Sequence, residues 1–165
     1  MNDESEDELA WRETYFILFD HSARPTLMQV ESALKRANRR LKFDTLVADD
    51  DGLFESALVQ APEDNAALEI SYEQGDAVVE QSVDIAKQLR TRIDTDQLAQ
   101  LLKADARLDI MHFERIHEEE PFYSDDPDDE FTEMLDPASL ITVVDALAKL
   151  TDGLAIDPAS GDLLV

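Results

Sequence analysis

A chain of 165 residues suits one domain with a core of ordinary size, and 44% hydrophobic content excludes wholesale disorder. The absence of cysteine excludes disulfides, thiol catalysis and thiolate zinc sites. With 39 acidic and 14 basic side chains the formal charge is -25, a field that repels phosphate, disfavours nucleic acid and anionic lipid, and attracts a basic protein, a polyamine or a metal cation.

The chain starts Met1-Asn2-Asp3-Glu4-Ser5-Glu6-Asp7-Glu8, acidic where a secretion signal needs a basic and then an apolar segment. No apolar run approaches the roughly 20 residues of a membrane span. A cytoplasmic protein is expected, with residues 1–9 a flexible acidic segment ahead of a single domain over 10–165.

Glu13 to Asp20 reads as a central strand, apolar on both faces: Tyr15, Ile17 and Phe19 on one, Phe16 and Leu18 on the other. Trp11 and Tyr15 fit a structural role there. After a turn at His21 to Pro25, Thr26 and Gln29 form a capping box. Leu27, Val30, Ala33, Leu34, Ala37 and Leu41 follow at helical spacing. Phe43 to Ala48 and Leu53 to Gln60 are strands joined by Asp49-Asp50-Asp51-Gly52, with Gly supplying the positive φ. Pro62 to Asn65 turns the chain into a strand over Ala66 to Tyr72, with Leu68, Ile70 and Tyr72 inward and Glu69, Ser71 and Glu73 outward.

Gly75-Asp76 opens a second helix, with Val79, Val83, Ala86 and Leu89 on its inner face. Asp94 and Gln97 cap a third, marked by Leu98, Leu101 and Leu102. Leu108 to Ile116 is a strand. Asp136-Pro137 starts a fourth helix, with Leu140, Ile141, Val144, Leu147 and Ala148 inside and Gly153 ending it in the left-handed conformation. A hairpin turning at Asp157-Pro158 and Gly161 closes the chain. The order β-α-β-β-β-α-α-β-α-β-β predicts an α+β two-layer sandwich, a mostly antiparallel sheet with helices on one face, as in an elaborated ferredoxin-like fold.

The candidate sites come from charge and histidine. Residues 118–135 form an acidic loop in which Phe122, Tyr123 and Phe131 sit among nine carboxylates. An EF-hand register from Asp125 fails, because its third position is Pro127 and its sixth is Glu130 instead of Gly. Aromatic anchors amid acid suit a basic partner instead, and Phe122, Tyr123, Asp125, Asp126, Asp128, Asp129 and Glu130 are the expected contacts. His112 and Glu114 share a strand face, and Asp20 with His21 could meet them in an acid–base or metal site if the two strands were neighbours. No G-x-S-x-G elbow, Gly-rich phosphate loop or H-E-x-x-H stands in the chain.

Lys35, Arg36, Arg39, Arg40 and Lys42 hold five of the 14 positive charges, and are expected to meet the protein's own acid or that of a second copy, a route to homo-oligomers. The last helix and TDGLAIDPASGDLL resemble the close of some small bacterial domains, including immunity-type proteins, over about fourteen residues. The leading expectation is a non-catalytic acidic protein that binds a basic protein partner, as an inhibitor, immunity-type protein or adaptor, without cofactor, metal or catalytic residues. Two alternatives stay open: an enzyme using His112 and Glu114 with Asp20 and His21, and a salt-adapted domain whose acid has no partner.

Overall fold

Local chemistry starts two of the helices in a computed structural model that describes residues 7–117 and 138–164. The Oγ1 of Thr26 accepts from the Gln29 backbone N–H while the Gln29 side chain accepts from the Thr26 N–H, launching α1 (Leu27–Ala37). Asp94 and Gln97 repeat the device ahead of α3 (Thr95–Lys103). Gly75 precedes α2 (Asp76–Leu89), and α4 spans Ala138–Thr151. The strands are β1 (Asp7–Phe19), β2 (Lys42–Ala48), β3 (Phe54–Ala61), β4 (Ala66–Gln74), β5 (Ala106–His117), β6 (Leu154–Asp157) and β7 (Asp162–Leu164). Apart from short 3-10 turns at His21–Ala23 and Pro62–Asp64, the order is the one the sequence predicts. The first strand begins at Asp7, upstream of the expected Glu13, because β1 pairs with β5 along its length, with a bulge between Trp11 and Glu13.

The seven strands make one antiparallel sheet in the order β2-β3-β4-β5-β1-β6-β7. The architecture is therefore α+β, as expected. Helices α1 and α4 pack side by side on what we call the front face. There Val30 and Leu34 of α1 and Leu140, Val143, Val144 and Leu147 of α4 join Ile17, Phe19, Leu68, Ile70, Leu108 and Ile110 in the larger core. This is the sandwich expected from the alternation in β4. The helices are not confined to the one face expected: α2 and α3 add a smaller core on the reverse face, where Val78, Ala86, Leu89 and Leu101 pack on Leu18 and Ile156. Both faces of β1 being apolar is the local cause of that second layer.

Three details differ from the sequence reading. The buried stripe of α2 starts at Val78 and Ser82, while Val79 and Val83 are half-buried. Ser82 is small enough to admit α3, and its Oγ donates to the Leu101 carbonyl at 2.5 Å. In α4, Val143 is buried and Ile141 is exposed. At the end of α4 the left-handed residue is Asp152, φ 55°, not Gly153. Gly153 serves close approach instead: a Cβ there would lie 2.8 Å from Ile17 Cγ2 and 2.9 Å from the Leu18 carbonyl oxygen. No helix among the described residues is long and apolar enough to cross a membrane.

Candidate functional site

The β1–β5 register decides whether the two histidine groups meet. Phe19 pairs with Ala106 and Glu13 with His112, so His21 and His112 sit at points separated by at least six strand residues, roughly 20 Å at about 3.3 Å per residue. The structure thus does not bring Asp20 and His21 to His112 and Glu114, and the acid–base or metal assembly of those four residues is corrected. His112 is instead a buried front-face residue with Nδ1 3.1 Å from Glu13 Oε2. A carboxylate only accepts, so this contact places the ring proton on Nδ1. Tyr15 donates to the other oxygen of Glu13 at 3.5 Å, and burial, then the Glu13 and Asp157 charges, raise its pKa above the ordinary phenol value. Glu114 is taken by Arg12 at 3.0 Å.

At the other end of β1 a cluster forms that the sequence half indicated. Asp20 and His21 leave β1 into the 3-10 turn, and Asp105 stands just before β5. The Asp105 N–H donates to the Phe19 carbonyl at 3.2 Å, locking the strand ends together. The His21 N–H donates to Asp105 Oδ1 at 2.8 Å, and His21 Nδ1 lies 2.8 Å from Asp105 Oδ2 and 3.8 Å from Asp20 Oδ1. Asp20 Oδ1 accepts from the Ser22 N–H, which holds its pKa below the ordinary carboxylate value. One donor atom from each of the three residues lies within 4.8 Å of the others. Asp105 escaped the sequence reading because its place beside His21 is created by strand pairing across 84 residues.

The reverse face offers the larger surface. Helices α2 and α3 cover part of it, α3 against β1 and β6 and α2 reaching β4 and β5, with Leu18 and Ile156 beneath them. Further out, cross-strand pairing sets Trp11, Phe113, Ala67 and Gln60 in one row and Thr14, Met111, Glu69 and Leu58 in the next. Val47, Ser56, Ser71 and Asp109 form a third row. Trp11 is 57% exposed and Val47 37%, while Leu58, Met111 and Phe113 are half-buried and Glu69 is exposed. This is an aromatic and aliphatic strip with a carboxylate at its centre. Trp11, assigned a structural role from sequence, contributes mostly exposed surface, its indole N–H donating to Thr14 Oγ1 at 2.9 Å.

Where the strip meets α2, Arg107 lies 4.7 Å over the Phe16 ring and bonds Asp109 and Gln81. Burial raises the Asp109 pKa above the ordinary carboxylate value, and the Arg107 bonds oppose the rise. A cleft of about 420 Å³ opens beside it, between α2 and the β6–β7 hairpin, floored by Phe16, Ile85 and Ile156 and rimmed by Glu80 and Asp84.

The expected partner contacts Phe122, Tyr123, Asp125, Asp126, Asp128, Asp129 and Glu130 lie outside the described residues. Of the basic cluster, Lys35 pairs with Glu31 at 3.1 Å, one helical turn away, and Arg40 with Glu63. No protein family, curated protein or solved structure matches the chain.

Proposed function

We propose that the chain is a non-catalytic interaction protein for a basic protein partner, in an inhibitor, immunity-type or adaptor role. The observation that carries this reading is the strip Trp11–Phe113–Met111–Leu58–Val47 with Glu69 in its midst, on a chain of charge -25. Exposed aromatic and aliphatic side chains supply contact area once water is excluded, and a central carboxylate selects an arginine or lysine opposite it. Two such chains repel each other, which favours a basic partner over a second copy. The net charge gives long-range attraction, and the strip gives a place to stop.

Trp11 is the only tryptophan, so its emission reports on the strip directly. Basic proteins captured from the source cell at low salt are expected to shift that emission and to release as salt rises. The double variant Trp11→Ala, Glu69→Lys is expected to lose the same proteins. Capture that survives both the double variant and added salt overturns the reading. Deletion of residues 118–133 separates the two surfaces: partners retained without that segment assign docking to the strip alone.

A further inference from the structure

We propose that Asp20, His21 and Asp105 form a binding site for one divalent transition cation of the Zn²⁺ class. The donors are an imidazole nitrogen and two carboxylate oxygens, mutually within 4.8 Å. Zinc bonds such donors at about 2.0–2.2 Å, which sets neighbouring ligand atoms roughly 3–4 Å apart. His21 Nδ1 stands 2.8 Å from Asp105 Oδ2 and 3.8 Å from Asp20 Oδ1, so a small movement of the ring admits an ion between the three.

Backbone bonds orient both carboxylates in advance. Asp105 Oδ1 is held by the His21 N–H, which leaves Oδ2 turned to the ring, and Asp20 is held by the Ser22 N–H. The single Nδ1 proton can satisfy only one of the two carboxylates it faces, and at these distances it serves Asp105. A dication answers both at once and releases the Nδ1 proton to water. The side chains of Asp20 and His21 are each 54% exposed, so an ion can enter, and three protein ligands leave a further position for water. The imidazole is what selects the metal. Mg²⁺ and Ca²⁺ prefer all-oxygen shells, whereas zinc and its first-row neighbours bind imidazole well. The chain contributes no thiolate, so the site is of mixed nitrogen and oxygen character.

The test is titration of the full chain, stripped of metal by a chelator, with Zn²⁺ and separately with Mg²⁺. High ionic strength screens the remaining surface carboxylates. One Zn²⁺ per chain is expected, with Mg²⁺ failing to compete. His21→Ala and Asp105→Asn are each expected to weaken zinc binding by roughly tenfold or more, by the scale of losses seen at ligand shells. Glu80→Gln, an exposed carboxylate on α2, is expected to leave it unchanged. Ring ¹⁵N signals of the unsubstituted protein decide the matter even if a variant fails to fold: Zn²⁺ must shift Nδ1 of His21. An unshifted His21 ring, or equal loss in Glu80→Gln and His21→Ala, overturns the site. Because this measurement involves no protein partner, its failure leaves the docking reading standing, and the reverse holds too.

Discussion

The two faces of β5 show what each side of the sheet is for. Ile110 and Met111 are consecutive, and the strand pleat sends them to opposite sides. Ile110 is fully buried under the front helices, whereas Met111 is half-buried in the reverse-face strip. The same contrast holds in β4, where Leu68 and Ile70 are buried and Glu69 between them is exposed. Under α1 and α4 the front face is closed and largely apolar, with the His112–Glu13–Tyr15 cluster as its polar part, so the apolar residues there work chiefly for stability. The outer reverse face keeps large apolar groups half in water, which is a cost to solubility that a stability role does not explain.

The largest expected effect sharpens this contrast. Ile110→Ala is expected to lower unfolding free energy by about 2–5 kcal/mol, the range for emptying a packed site. Met111→Ala is expected to cost less than about 1 kcal/mol, as at sites that are already partly wet. Denaturant unfolding of the two variants measures both. Equal losses would make the reverse strip part of the core and remove its claim to be a docking surface.

Next in size is a residue where front and reverse layers meet. Gly153 lies against the Ile17 side chain and the Leu18 carbonyl oxygen, and Ile17 belongs to the front core while Leu18 belongs to the reverse one. Gly153→Ala forces its Cβ onto a backbone atom that cannot rotate away. A loss of about 1–3 kcal/mol is expected by analogy with overpacked cores. Thermal unfolding reads it, and a neutral result would mean that β1 and the end of α4 can slide apart.

What sequence made visible is what neighbouring residues decide among themselves. The capping boxes at Thr26–Gln29 and Asp94–Gln97 span three residues each and are present as read. The outward turn of Glu69 followed from alternation within one strand. Strand order did not follow, since β1 lies between β5 and β6, partners distant in the chain. That gap hid Asp105 from His21 and also suggested a meeting of His21 with His112 that the register forbids. Hydrophobic spacing favours Val79 and Val83 over Ser82 because it ranks side chains by apolarity, whereas the contact with α3 rewards small size and a hydroxyl aimed at the Leu101 carbonyl. By position Gly153 marks a helix end, whereas its actual constraint comes from β1.

The smallest expected effect is read by acid. On the reverse side, burial raises the Asp109 pKa above its ordinary 3.8, with the Arg107 bonds pulling the other way. A carboxyl whose pKa is raised by folding binds its proton more tightly in the folded chain than in the unfolded one. Its contribution therefore favours folding when it is protonated, and is lost as pH rises from the ordinary carboxylate value through the raised one. Asp20 has the opposite sign: its pKa is lowered chiefly by the Ser22 N–H, so its contribution is present above the ordinary value and lost as pH falls through the lowered one. Comparing stability against pH for the unsubstituted chain and for Asp109→Asn isolates the first contribution. The difference between the two curves is expected to move against the unsubstituted chain as pH climbs through that window, and to be flat above it. A difference that moves the other way would mean that the Arg107 bonds outweigh burial. Asp109 would then be a stabilising ion pair that anchors the inner border of the strip.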